Sequence, residues 1–138
     1  AVGSHLGNSE WWEITQERVN AFADATDDHQ FIHVDPERAA QTPFGGPVAH
    51  GYLTLSMAVP LTQQIVAVRG VRMAVNYGTN KVRFPAPVPV GSRLRAGAVL
   101  ESVEDVPGGV QVVFTVTFEI EGGAKPVCVA ETVSRYYF

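Results

Sequence analysis

Two hydrophobic periods divide the chain near Gly70. Before it, apolar residues recur at helical spacing; after it they alternate with polar ones, as on a half-buried strand. Thr15, followed by Gln16, Glu17 and Arg18 and by Val19, Phe22, Ala23 and Thr26 at helical intervals, predicts a capped amphipathic helix. Ile14 and Val19 flank the cap as a hydrophobic staple. A second helix is predicted from Gly51 to about Val68. Its apolar residues (Tyr52, Leu53, Leu55, Met57, Ala58, Val59, Leu61, Ile65, Val66) cover most of its circumference, so it should be enclosed on several sides, and Pro60 should bend it. Residues 29–50 between these helices read as irregular, apart from a short helix that begins with Asp35 as N-cap and Pro36 at the first helical position.

Candidate strands run from Val71 to Phe84, Arg93 to Val103, Val110 to Ile120 and Val127 to Tyr137. The third is the clearest, with Val110, Val112, Phe114, Val116, Phe118 and Ile120 on one face. Pro107-Gly108-Gly109 and Gly122-Gly123 separate these runs as turns and predict an antiparallel meander. An apolar helix followed by long antiparallel strands is most simply satisfied by an α+β arrangement in which the sheet wraps around the helix. Such a sheet keeps an open edge, and pairing it with a second copy makes a homodimer the default expectation.

Size and composition narrow the function classes. A chain of 138 residues, 46% hydrophobic and 17% charged, is expected to fold as a single domain over 1–138 with one core. Ten Lys and Arg against fourteen Asp and Glu give a net charge of −4, with no basic cluster, so no nucleic-acid partner is expected. Cys128 is alone, which excludes an intramolecular disulfide and a cysteine-rich zinc site and suits a reducing compartment. The start shows neither a charged leader nor an apolar run, and Tyr52 to Val68 is too polar to span a membrane, so the expected location is the cytoplasm, with no membrane partner.

Three acidic residues, Asp24, Asp27 and Asp28, sit at the C-terminal end of the first helix, where the helix dipole disfavours them. Stability does not explain that placement. Asp28 and His33 lie five apart on the chain leaving this helix, and a carboxylate and an imidazole there can converge on one water. The plainer alternative is a helix-ending Asp and a His that satisfies backbone groups. His29 and His33 are four apart, but an irregular backbone gives the two rings no reason to face together, so no metal site is expected. Phe44-Gly45-Gly46-Pro47-Val48-Ala49-His50-Gly51 delivers the chain to the N-terminus of the apolar helix. There, free N–H groups suit a carbonyl oxygen gaining negative charge; alternatively the glycines only allow a tight entry and His50 only caps the helix.

Taken together, Asp28-His29-Gln30-Phe31-Ile32-His33, then Phe44 through Ser56, then Asn76-Tyr77-Gly78-Thr79-Asn80-Lys81-Val82-Arg83-Phe84-Pro85 resemble the MaoC-like dehydratases, or (R)-specific enoyl-CoA hydratases, most closely their NodN-like branch. The resemblance spans nearly the whole chain from Trp11. It implies a hot-dog fold, in which a long antiparallel sheet wraps a central helix. It also implies reversible hydration of trans-2-enoyl thioesters to (R)-3-hydroxyacyl thioesters without a cofactor. Carried over by position, Asp28 and His33 become the catalytic dyad and the Gly51 N–H the donor to the thioester carbonyl. The family's loop reads Gly-Asp-x-Asn-Pro-x-His, and this chain has Asp27, Gln30 and Phe31 at the Gly, Asn and Pro positions.

Substrate contacts are expected from Gln30, Phe31, His50, Asn76, Lys81 and Arg83. Lys81 and Arg83 alternate with Val82 and should share a strand face, either meeting the phosphates of an acyl-CoA or guarding an exposed edge. The carrier could equally be an acyl carrier protein. Two rival functions remain: a hot-dog thioesterase, which would direct water at C1 instead of C3, and a non-catalytic acyl-thioester-binding module.

Overall fold

The computed structural model describes residues 1–138. Its helical layer begins with α1 (Gln16–Thr26), whose Thr15 hydroxyl accepts the Arg18 N–H at 3.1 Å. Ile14 and Val19, on either side of that cap, are both buried, as a staple requires. Residues 29–50 are more ordered than their sequence suggests. Beyond the expected turn α3 (Pro36–Ala39), capped by the Asp35 carboxylate at 3.1 Å from Arg38 N, a second turn, α2 (Phe31–Val34), carries His33. One turn of helix is too short for periodicity to register.

The apolar helix divides into α4 (Gly51–Ser56) and α5 (Ala58–Gln63) at Met57. Pro60 has no N–H for the Ser56 carbonyl, and its ring crowds that group, so the break falls where proline chemistry puts it. The regular helix ends at Gln63, short of Val68; the Ile65 and Val66 N–H groups both still donate to Thr62 O at 2.9 Å in a closing turn.

The sheet has six strands: β1 (His5–Asn8), β2 (Trp12–Glu13), β3 (Met73–Arg83), β4 (Arg93–Val106), β5 (Gly109–Ile120) and β6 (Cys128–Tyr137). All pairings are antiparallel, in the order β1-β4-β5-β6-β3, with β2 also on β4. The expected meander therefore holds for β4 to β6, whereas β3 pairs across the sheet with β6 instead of lying beside β4. Its link to β4 carries Pro85, Pro87 and Pro89, which cannot make a tight hairpin. That link runs past the entry to α4, where Ala49 N–H donates to Val88 O at 2.8 Å and Val90 N–H to Pro47 O at 2.9 Å.

Val112, Phe114, Val116 and Phe118 of β5 point into one core with Leu94 and Ala96 of β4 and Leu53, Met57 and Leu61 of the divided helix. This is the α+β hot-dog arrangement, with one departure. The helix is covered by the sheet on one side only: Tyr52 is 71% exposed and Val59 51%. Between α4/α5 and the β3/β6 side of the sheet lies a cavity of about 530 Å³, bordered by Leu55, Val59, Thr62, Asn76 and Tyr136 among others. No helix is long and apolar enough to cross a membrane.

Two outcomes test this packing. Phe118 is fully buried, so Phe118→Ala should lower unfolding free energy by about 3–5 kcal/mol in urea titration. Burial also pushes the Cys128 thiol up to about 11, so it stays protonated at neutral pH; it should resist a thiol reagent in the native protein and react fully once unfolded.

Candidate active site

The site begins where α1 stops. Asp27 closes the helix in the left-handed conformation, φ 62° and ψ 18°, the only residue other than glycine with positive φ. Asp tolerates that region better than most residues, and the same geometry explains why glycine suits the position in the family's loop. The turn sends Asp28 away from the helix axis. Its carboxylate is exposed and receives the Gln30 N–H at a long 3.4 Å.

His33, 7% exposed, is held at both ends. Gln16 donates its side-chain amide to the His33 carbonyl at 2.8 Å, and the His33 Nδ1–H donates to the Val48 carbonyl at 2.7 Å. Because a carbonyl can only accept, the proton is assigned to Nδ1, and Nε2 keeps a free lone pair. The Val48 N–H returns a bond to Ile32 O at 2.9 Å, so the turn bearing His33 and the strap entering α4 are joined reciprocally.

His50, the N-cap residue of α4, is 2% exposed. Its ring stacks on His33 with centroids 3.8 Å apart and planes 23° apart, and Phe22 packs against it at 4.8 Å. Its Nε2–H donates to the Asp28 carbonyl at 3.0 Å, and its Nδ1 is buried without a partner. Donor atoms of Asp28, His33 and His50 lie within 4.8 Å of one another. These are the residues that could ligate a metal, yet imidazole lone pairs lie in the ring plane, and stacked rings present theirs side by side instead of converging on one ion. The trio suits proton transfer better than chelation. His29, the other histidine of this stretch, turns outward to Asp24 at 2.9 Å, and that hydrogen bond raises its pKa above the usual value.

Gly51 is the first residue of α4, so its N–H has no intrahelical acceptor. Its φ lies outside the left-handed region, so it is not a hinge that needs glycine for backbone reasons. What glycine provides is space. A Cβ there would sit 3.1–3.3 Å from the Phe84 ring, at a second cavity of about 290 Å³ bordered by Phe44, Ala49, Thr54, Phe84 and Val88.

The remaining expected residues divide. Gln30 caps α2 without using its side chain, and Phe31 carries the Arg38 guanidinium over its ring at 4.3 Å. Asn76 borders the 530 Å³ cavity. Lys81 and Arg83 are exposed on β3 and border neither cavity; Arg83 donates to the Val82 carbonyl at 2.9 Å and Lys81 pairs in register with Glu131. The Val48 carbonyl, which orients His33, has no counterpart in the sequence reading, because every residue type carries a carbonyl.

The MaoC like domain matches residues 1–121. The chain is 59% identical over 137 residues to 3-hydroxyacyl-thioester dehydratase Z of Mycobacterium tuberculosis, covering 99% of this chain and 91% of that protein. It is 43% identical over 140 residues to nodulation protein N of Rhizobium leguminosarum, covering 99% and 87%. Among solved structures, the (R)-hydratase from A. caviae involved in PHA biosynthesis superposes with a TM-score of 0.76 at 25% identity, over 97% of this chain and 95% of that one. A divided helix packed on a long antiparallel sheet, a strap that orients a histidine near an aspartate, and similarity of this order over almost the whole chain place it in the MaoC-like dehydratase family, on the branch that contains nodulation protein N.

Proposed function

We propose that the protein is a hydro-lyase that reversibly adds water to trans-2-enoyl thioesters, giving (R)-3-hydroxyacyl thioesters. The observation that carries this reading is the contact between His33 Nδ1 and the Val48 carbonyl, which assigns the proton to Nδ1 and leaves Nε2 as the acceptor of an imidazole that has a ring nitrogen within 4.8 Å of the Asp28 carboxylate. In the hydration direction, His33 Nε2 takes a proton from a water that Asp28 orients through a second hydrogen bond. The hydroxide oxygen bonds to C3, the C2–C3 π pair shifts toward C1, and the thioester carbonyl becomes an enolate oxygen. The Gly51 N–H stabilises that charge, an interaction of about 3 to 4 kcal/mol for one well-placed donor. The enolate collapses as C2 takes the proton held by His33, which leaves one water added and the site restored. Dehydration is the reverse.

The same reading covers the rest of the chain. Residues 1–138 act as one domain, the substrate is an acyl thioester of CoA or of an acyl carrier protein, and the reaction needs no cofactor. Exposed Tyr52, Val59 and Met73, with the unpaired edge of β3, favour a homodimer. The free thiol of Cys128 suits the cytoplasm.

Incubation with crotonyl-CoA and longer trans-2-enoyl-CoAs should consume the enoyl absorbance without releasing thiol. Release of free CoA would make the protein a thioesterase, and tight binding without turnover on any chain length would make it a binding module. Asp28→Asn and His33→Gln should each lower turnover at least about a hundredfold while leaving folding intact. The double variant should be little worse than the worse single one, since members of one catalytic unit are not additive; full multiplication of the two losses would dissolve the dyad.

Gly51→Val keeps the N–H but fills the space through which a carbonyl would approach it, so turnover should fall by about a hundredfold, as much as when an oxyanion contact is lost. Melting temperature should change little, because φ is ordinary and the Phe84 ring is exposed enough to move. Full activity with only a lowered melting temperature would remove Gly51 from the site.

A further inference from the structure

His50 makes contacts that packing alone does not explain. It is 2% exposed, and its Nδ1 is buried without a partner. An unpaired buried acceptor lowers stability, and a phenyl ring in its place would keep the stack on His33 and the contact with Phe22 without that penalty. What imidazole adds over phenyl is the Nε2–H, and that donor crosses 22 residues of sequence to the Asp28 carbonyl.

Asp28 has weak support of its own. Its carboxylate is exposed, the Gln30 N–H reaches it only at 3.4 Å, and its own N–H meets the Thr26 hydroxyl at the same long distance. His33, by contrast, is anchored by Val48 and Gln16. The separation of carboxylate and imidazole therefore depends on what ties the Asp28 backbone to the His33 ring. One side chain touches both.

We propose that His50 is a positioning residue, which sets the Asp28–His33 geometry by donating to the Asp28 carbonyl while its ring face backs His33. Because His50 is also the N-cap of α4, the same residue places Gly51 relative to the dyad. This inference rests on the hydratase reading above.

The test compares His50→Phe, which keeps the ring and loses the donor, with His50→Gln, whose side-chain amide restores a donor without the stack. With crotonyl-CoA, His50→Phe should lower kcat by about ten- to a hundredfold with KM nearly unchanged, in the range expected for a misplacement of about 1 Å. Its melting temperature should be equal or higher. His50→Gln should recover most of the lost kcat. Wild-type kcat in His50→Phe, equal loss in both variants, or a loss that tracks melting temperature alone would overturn the proposal. If the wild-type protein turns over no enoyl thioester, the hydratase reading fails by itself, and crystal structures of the two variants then decide on His50. A displacement of the Asp28 carboxylate from His33 in His50→Phe, but not in His50→Gln, supports positioning; an unmoved carboxylate in both overturns it.

Discussion

The hydrogen bond from His33 Nδ1 to the Val48 carbonyl, 2.7 Å long and spanning 15 residues of sequence, joins the two halves of the site. On one side stand α1, α2 and the Asp28 loop; on the other stands the strap that starts α4. The bond does more than tie them together. By occupying Nδ1 it chooses the tautomer of His33, and so decides which nitrogen can take a proton. Several backbone bonds serve the same junction: Val48 N–H to Ile32 O, Ala49 N–H to Val88 O, and Val90 N–H to Pro47 O. Through them the proline-rich crossover from β3 to β4 braces the strap against the sheet, so the position of the imidazole inherits the rigidity of the core.

Around that junction the chain departs from what stability would favour. Asp27 holds a left-handed conformation, and Asp27 and Asp28 place acidic charge at the C-terminal end of α1. Asp24 is partly accounted for by His29, but that pair is exposed and contributes little. His50 buries an unpaired nitrogen. These departures fall within one loop and one helix entry, while the core face of β5 keeps its alternation from end to end. Local penalties gathered at one place are a common mark of functional sites, and they support the proposed one.

The division of the apolar helix has a related consequence. With Pro60 the helix is interrupted at Met57, and Leu53, Met57, Ala58 and Leu61 on either side of the interruption still reach the core. The opposite flank, with Tyr52, Val59 and half-buried Leu55 and Thr62, is left against open space beside β3. That apolar surface meets the cavity where Asn76 lies, and it is the face on which the proposed homodimer rests.

Features written within a few residues were legible in the sequence. The Thr15 cap with its Ile14–Val19 staple, the Asp35-Pro36 start of α3, the break caused by Pro60 and the alternation along β5 all depend on local backbone sterics and on side-chain period. That Asp28 and His33 could converge was legible too, while the catalytic roles proposed for them rest on resemblance and not on the residues alone. Tertiary structure decided the rest. α2 is one turn long and leaves no periodic trace, and β1 and β2 exist because β4 offers them a partner. β3 goes to β6 because the crossover cannot form a hairpin, which leaves Lys81 and Arg83 on an edge strand, lining neither cavity though Thr79 and Phe84 beside them do. His50 read as a helix cap or a substrate contact, and became a partner of Asp28 and His33 only when a segment 22 residues away arrived beside it. Its bond, like that of His33, ends on a backbone carbonyl. A carbonyl is present at every residue, so no choice of amino acid announces which one will be used; the folded chain selects it by bringing distant segments within 3 Å.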